Sequence, residues 1–238
     1  MSLNIYWGLG GPSNPLDYLG RLALYPKTPA RYVKKIAAFI KEIDPDVACF
    51  QEIDNGSQRT LGFSQIRYLA TNTPLTHAFF APEKTRFTNE GNAILARKPF
   101  SAAMHTLPYL AERRNCIAAD FGAFIVLTTH LASHWLGWYE RTHQLKKLAH
   151  HIRLQKKPVI LLGDFNRTIP SWFLEKNGLT VAILEPTFPN FFPVFRYDTI
   201  LCSPTLTISQ AKALKVHLSD HLPILVNNPQ SKIGGISG

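Results

Sequence analysis

The sequence predicts an α/β (α+β) fold, with strands and helices drawn into one body. Three observations carry that expectation. Runs of consecutive apolar residues, Val47-Ala48-Cys49-Phe50 and Val159-Ile160-Leu161-Leu162, have the length and composition of strands buried on both faces. Ahead of each run, apolar residues recur at helical spacing: Val33, Ile36, Ala37, Ile40 and Ile43 before the first, Leu145, Leu148, Ala149 and Ile152 before the second. Between these regions, residues 78–129 alternate short strands with turns, the pattern of hairpins and meanders on short connections.

Taken in order, residues 2–7 read as a strand that Gly8-Leu9-Gly10-Gly11-Pro12 breaks, with Asn4 a polar side chain inside it. Thr28-Pro29-Ala30 reads as a helix start, with Thr28 as cap and proline in the first turn. Asp44-Pro45-Asp46 stops that helix, and the strand from Val47 delivers Gln51 and Glu52 at its close. An unpaired carboxylate is costly to bury, so Glu52 calls for a cation, a set of donors or open water. Residues 58–72 read as weakly helical, and residues 78–80, 90–97, 102–107, 117–119 and 123–129 as strands, the last running into His130. A lone histidine there is more often structural than catalytic.

Trp135-Leu136-Gly137-Trp138-Tyr139 reads as an aromatic loop ahead of a helix. Its plain reading is a staple on the helix start; its functional reading is a lip that stacks on bases or dips into lipid headgroups. The strand at 158–162 runs into Gly163-Asp164-Phe165-Asn166. Strand alternation puts Asp164 and Asn166 on one side, suited to positioning a water or a phosphate. The plain alternative is an Asx turn closing the strand. A short helix at 171–176, a Pro- and Phe-rich loop at 186–193, a strand at 197–202 with Asp198 near its start, and Ser219-Asp220-His221 leading into a strand at 222–226 complete the chain.

At 238 residues, with 45% apolar and 18% charged side chains, the chain suits one globular domain, expected over 1–228 with a flexible tail at 229–238. The formal charge of +10 favours anionic partners. The basic pairs Lys34/Lys35, Arg113/Arg114, Lys146/Lys147 and Lys156/Lys157 are spread along the chain and read individually as solvated faces. Cys49, Cys116 and Cys202 lie far apart in apolar runs, which fits neither a zinc site nor a disulfide framework and suits a reducing compartment. No basic and apolar leader pattern opens the chain and no apolar run reaches about 18 residues, so a cytoplasmic protein without a transmembrane segment is expected.

Six strand ends thus carry Asn4, Glu52, His130, Asp164 with Asn166, Asp198, and Asp220 with His221. This oxygen-rich set suits Mg²⁺ or Mn²⁺ plus an acid–base group. The motifs Ser2-Leu3-Asn4-Ile5, Asp46-Val47-Ala48-Cys49-Phe50-Gln51-Glu52-Ile53, Gly91-Asn92-Ala93-Ile94-Leu95, Thr129-His130-Leu131, Gly163-Asp164-Phe165-Asn166, Tyr197-Asp198-Thr199-Ile200 and Ser219-Asp220-His221-Leu222-Pro223 occur in this order over residues 2–226. In them the chain resembles the endonuclease/exonuclease/phosphatase superfamily, in a generic bacterial branch. That group holds pancreatic deoxyribonuclease, abasic-site endonucleases, neutral sphingomyelinases and inositol-polyphosphate 5-phosphatases.

The resemblance implies a four-layer sandwich: two packed mixed β-sheets flanked by helices, with the active site at one end. It further implies Glu52 as the main direct ligand of Mg²⁺ (or Mn²⁺), with Asn4 and Asp220 near the metal, partly through water. Asp164 would orient or deprotonate the attacking water and Asn166 would bind a phosphate oxygen. His221, paired with Asp198, would act at phosphorus, and His130 would bond the phosphate or assist the leaving group. With every such position filled, a binding-only module is the less favoured class. Gln51-Glu52-Ile53-Asp54 and the Thr-His-Leu triplet depart from the abasic-site endonucleases, so the resemblance transfers chemistry and leaves the substrate open.

An anionic phosphoester is the expected partner of a monomeric enzyme. Nucleic acid leads on charge, with Arg97, Arg113 and Arg114 as candidate phosphate contacts and Asn92 as a further substrate contact. A phospholipid is second, through Trp135, Trp138, Tyr139 and the Phe-rich loop as a peripheral membrane lip. A soluble phosphorylated metabolite is third.

Overall fold

The computed structural model describes residues 1–83, 88–134 and 137–227. Trp135 and the expected tail at 229–238 lie outside the described residues. The first half of the chain runs through β1 (Ser2–Asn4), α1 (Pro15–Leu22), α2 (Ala30–Ile43), β2 (Val47–Asp54), α3 (Gln65–Asn72), β3 (His77–Pro82), β4 (Glu90–Ala96), β5 (Ser101–Thr106) and β6 (Asn115–Asp120). The second runs through β7 (Ile125–His130), α4 (Trp138–Arg153), β8 (Val159–Asp164), α5 (Ser171–Asn177), β9 (Thr180–Val181), β10 (Asp198–Cys202), β11 (Gln210–Ala213) and β12 (Ile224–Asn227).

Two mixed six-stranded sheets result, ordered β11-β12-β1-β2-β4-β3 and β5-β6-β7-β8-β10-β9. In each, the parallel central pair is a βαβ unit, β1-α2-β2 in the first and β7-α4-β8 in the second. Every other pairing is antiparallel. The first half gives its last hairpin, β5-β6, to the second sheet, and the second half gives β11-β12 to the first. Neither sheet is complete without strands from both halves.

Three apolar cores hold the layers. One packs Val33, Ile36 and Ile40 of α2 with Leu69 of α3 against Leu3, Phe50 and Leu95. A second packs Leu145, Leu148 and Ile152 of α4 with Phe173 of α5 against Leu127 and Leu161. The third, between the sheets, gathers Ile94, Ile117, Val126, Ile160, Ile200 and Ile224. The expected four-layer sandwich is what forms. All three cysteines are free and buried, and burial pushes each thiol up to about 12.

Local chemistry redraws several expected elements. The opening strand stops at Asn4 because the Asn4 Oδ1 accepts the Tyr6 N–H, bending the chain through left-handed Tyr6 and Trp7. Thr28 does not cap α2; the helix starts at Ala30 after an extended Pro29, and the Thr28 hydroxyl is buried without a partner. Trp138 and Tyr139 belong to the first turn of α4 rather than to a loop. Helix α1, not expected, is capped by the Asn14 side chain with proline at its start, yet buries none of its residues.

Candidate active site

The polar residues singled out in the sequence gather at one end of the sandwich. There β1, β2, β7 and β8 finish, and β10 and β12 begin. At the centre is Asp164, the last residue of β8. Its Oδ2 accepts from Asn4 Nδ2 at 3.0 Å and lies 3.6 and 3.7 Å from the Nε2 atoms of His130 and His221. Two imidazole edges therefore converge on one carboxylate oxygen. Gly163 lets β8 come this close to β7, since a Cβ there would meet the Thr129 carbonyl oxygen at 2.0 Å.

Strand alternation does not place Asn166, because the strand ends at Asp164 and Asn166 is left-handed, with φ 50°. Instead the Asp164 Oδ1 accepts the Asn166 N–H at 2.8 Å, and Asn166 Nδ2 donates to the Leu131 carbonyl. The plain reading of the motif as an Asx turn describes the backbone, and that turn is what sets the carboxamide beside the carboxylate.

His221 is bonded through Nδ1 to Asp198 Oδ2 at 2.7 Å, and the Thr187 hydroxyl donates to the same oxygen at 2.5 Å. Burial opposes the imidazolium, but Asp198, Asp164 and Asp220 outweigh it and hold His221 well above the usual histidine range. His130 is pushed the other way, well below that range, by burial and by Arg114. An arginine can only donate, so Arg114 at 3.0 Å from His130 Nδ1 makes that nitrogen the acceptor. The proton of neutral His130 then sits on Nε2, facing Asp164.

Glu52 reaches the site by a different device. The β2–β4 register shifts between Phe50 and Ile53, and inside this bulge Glu52 adopts a left-handed φ of 56°. The strand continues to Asp54, so Glu52 lies in a bulge rather than at the strand's close. Among the described residues no donor bonds its carboxylate. Burial, then Asp220 and Glu90, raise it well above the usual carboxylate range. Asp220 accepts from the Ser219 hydroxyl and is raised to about 6 by burial, with His221 partly opposing. Asp198 Oδ1 is buried without a partner among the described residues.

Two groups are candidates to hold a divalent cation. Ligand atoms of Asp164, Asp198 and His221 lie within 4.8 Å of one another. Yet His221 gives its Nδ1 to Asp198 and is held as a cation, a form that ligates no metal. The mutually repelling carboxylates Glu52 and Asp220 are the better match to an oxygen-loving ion. Asn4, with Oδ1 on the Tyr6 N–H and Nδ2 on Asp164, serves to orient Asp164.

The expected substrate contacts fare unevenly. Arg97 is ion-paired with Asp44 and Asp46 at the opposite end, beside Val47, and so is no phosphate contact at this site. Arg114 is held by Glu83 at 2.8 Å and Glu112 at 2.5 Å, which makes it the support of His130 and not a free cation for substrate. Asn92 is buried, donating to Glu83 and Asn115, with its own Oδ1 unpartnered among the described residues. Arg113 is exposed over the Tyr109 ring, and Trp138 is exposed on α4.

Four site residues escaped the sequence reading. Thr187, in the segment ahead of Asp198, and Glu83, raised to about 7 by burial against the pull of Arg114, are two. Tyr6 and Tyr18 are the others, stacked with ring centres 5.4 Å apart. Burial and the charges of Asp220 and Glu52 raise both phenols, Tyr18 to about 12. Only Thr187 left a signal, a polar residue in a Phe-Pro-rich loop leading to an ionisable strand.

Solved structures share this architecture at low identity. An endonuclease/exonuclease/phosphatase from Beutenbergia cavernae DSM 12333 matches with TM-score 0.71 and 19% identity over 94% of this chain and 69% of that one. Mannosyl-6-phosphatase Bt3783 of Bacteroides thetaiotaomicron VPI-5482 matches at 0.68 and 20%, covering 95% and 97%. D. rerio TDP2 complexed with a single strand DNA product matches at 0.63 and 18%, covering 83% and 91%. No curated protein matches the sequence. Since the family model for the Endonuclease/Exonuclease/phosphatase family matches residues 1–221, nearly all of the described sandwich, the chain belongs to that family.

Proposed function

We propose that the protein is a divalent-metal-dependent phosphodiester hydrolase that works by in-line attack of water. The convergence of His130 and His221 on Asp164, with His221 charged by Asp198, carries this reading. Asp164 holds the water and takes its proton, while Asn166 offers its carboxamide to a phosphate oxygen. The His221 cation faces the charge that develops on phosphorus, and the Nε2–H of His130 donates to phosphate or leaving group. Glu52 and Asp220 would hold the Mg²⁺ or Mn²⁺, which supplies Lewis-acid stabilisation of the phosphoryl oxygens.

Nucleic acid is the substrate class that the +10 charge supports, together with the DNA product bound by the D. rerio TDP2 neighbour. The commitment of Arg97 and Arg114 to carboxylates removes part of that support. A phosphoester presented at a lipid surface is the second reading, favoured by large apolar side chains exposed around the site. The test is hydrolysis of bis-p-nitrophenyl phosphate, plasmid, single-stranded DNA, RNA and phospholipid vesicles with Mg²⁺ or Mn²⁺, beside EDTA and Asp164→Ala controls. EDTA-sensitive cleavage lost in the variant is expected. Cleavage insensitive to both would remove the proposal, and the polymer or lipid cleaved decides the substrate class.

A further inference from the structure

Large hydrophobic side chains left exposed by folding are not scattered over this molecule. Among the described residues, all of them except Met104 and Leu154 lie on, or within one helical turn of, connections that leave the active-site end. Four positions frame the mouth. Leu16 and Leu19, 81% and 63% exposed, form the outer face of α1, whose inner face sets Tyr18 beside Asp220. Leu61, 75% exposed, sits on the turn after β2. Leu110, 75% exposed, lies near the start of α4, because Glu140 of α4 accepts the N–H groups of Ala111 and Glu112. Phe192 and Phe195, 71% and 48% exposed, project from the 182–197 connection. That last segment runs inward ring by ring, from Phe195 to Tyr197 to Phe188 to the catalytic imidazole of His221.

Basic side chains stand among these residues. Lys27, Arg113 and Arg196 are exposed on the same connections, and Lys215 is exposed on the connection from β11 to β12. The acidic side chains there are engaged: Asp17 with Arg21, Glu112 with Arg114, and Glu185 with the Ala213 N–H. Exposed Asp44 and Asp46 lie instead at the opposite end, before β2. The opposite end also carries exposed Lys41, Lys98, Arg153 and Lys156, so what marks the active-site end is the interleaving of cations with apolar side chains while the neighbouring carboxylates are engaged.

We infer that the active-site end is a docking face for an anionic lipid bilayer, with α1, the 107–114 connection, the start of α4 and the 182–197 connection as its contact points. Three features select a bilayer over other occupants. Several of the side chains are aliphatic, and leucine offers no face for base stacking, which argues against single-stranded nucleic acid. The contacts are spread around a mouth instead of lining one groove, so they suit a broad, deformable surface more than a helix or an extended peptide. Apolar groups interleaved with cations match the layered chemistry of an interface, acyl chains beneath anionic headgroups. None of the described helices is long and apolar enough to cross a membrane, and the inferred contact is with the bilayer surface. It holds whichever phosphoester is cleaved.

The experiment is flotation of the full chain with phosphatidylcholine vesicles and with vesicles containing phosphatidylglycerol. Three proteins are compared: wild type, a rim variant carrying Leu16→Ser, Leu19→Ser, Leu110→Ser and Phe192→Ser, and a control carrying Met104→Ser and Leu154→Ser. Binding to the anionic vesicles, weakening with salt and reduced tenfold or more only in the rim variant, is expected. Metal-dependent turnover of bis-p-nitrophenyl phosphate is measured alongside. The rim variant keeps that turnover, so failure of docking and failure of the hydrolase reading are separable. Absence of vesicle binding by wild type, or equal losses in rim variant and control, overturns the proposal. So does a concentration-dependent dimer that the rim substitutions abolish while vesicle binding persists. Selective loss of single-stranded DNA binding in the rim variant, with vesicle binding unchanged, would reassign the face to nucleic acid.

Discussion

The two sheets share one plan and use it differently. Each has a parallel βαβ pair at its centre, and in each the last residue of the first strand faces a residue of the second. In the second sheet those partners are His130 and Asp164; in the first they are Asn4 and Gln51. The ionisable pair belongs to the proposed reaction centre. The carboxamide pair ties the sheets together, Asn4 donating to Asp164 and Gln51 to Thr128 of the opposite sheet. A regular strand end thus delivers charge in one sheet and neutral hydrogen bonds in the other. Asp220 and His221 arrive on the connection into β12, whereas Glu52, the charge that β2 itself contributes, needs a bulge and a left-handed residue to reach the same place. Such a conformation costs a non-glycine residue about 1–3 kcal/mol and persists only where the surroundings enforce it.

Removing the charged centre, Asp164 at the end of β8 and His221 on the connection into β12, should have the largest effect. His221→Ala and Asp164→Ala are each expected to lower kcat on bis-p-nitrophenyl phosphate by about 10³-fold with unchanged circular dichroism. A loss below about tenfold in both would place the chemistry elsewhere. The first sheet's device is tested by Glu52→Gly, which removes the carboxylate and suits the left-handed backbone. Activity should fall by about 10²-fold while Tm in EDTA stays level or rises by about 2–4 °C. The rise in Tm that Mg²⁺ gives wild type should vanish with it. A lower Tm in EDTA would mean that the carboxylate holds the bulge together.

Smaller effects sharpen the boundary of the site. Arg114→Lys keeps the charge but loses the fork that spans Glu83, Glu112 and His130, so kcat should drop about tenfold with KM nearly unchanged. A change confined to KM, with a shallower salt dependence, would restore Arg114 as a phosphate contact. Far from the site, His151 stacks on His105, and burial, with His105 and Lys147, lowers it to about 4. Between pH 6.5 and about 4 the unfolded chain takes up a proton that the folded chain refuses. Stability should therefore be complete above pH 6.5 and fall as pH drops through that window, with a shallower fall in His151→Asn. Identical Tm profiles would show that His151 does not titrate differently on folding. Arg97→Ala, finally, should change kcat/KM less than twofold.

Much of the fold was legible because burial on both faces leaves a direct mark in sequence. The apolar runs before Gln51 and Gly163 could be little but central strands, and the stripes of α2 and α4 announced the crossovers that make those strands parallel. Helix α1 escaped because its leucines face outward, so their spacing reports no core. The opening strand was read too long because a side chain, Asn4, redirects the backbone where hydropathy continues unchanged.

By itself the sequence determined most of the chemical groups that stand at strand ends, because strand termini and polar punctuation are local properties; Glu52, held in a bulge inside β2, is the exception. The sequence could not determine which of these groups meet. Arg97 and Arg114 look alike in the sequence, each an arginine beside a strand. Only the tertiary structure sends one to Asp44 at the far end and sets the other under His130. The protonation states of His130 and His221 were likewise settled by assembly: strands distant in sequence bring Arg114 to one imidazole and three carboxylates to the other. Contact between distant segments depends on how strands order themselves in a sheet, and no local pattern encodes that order.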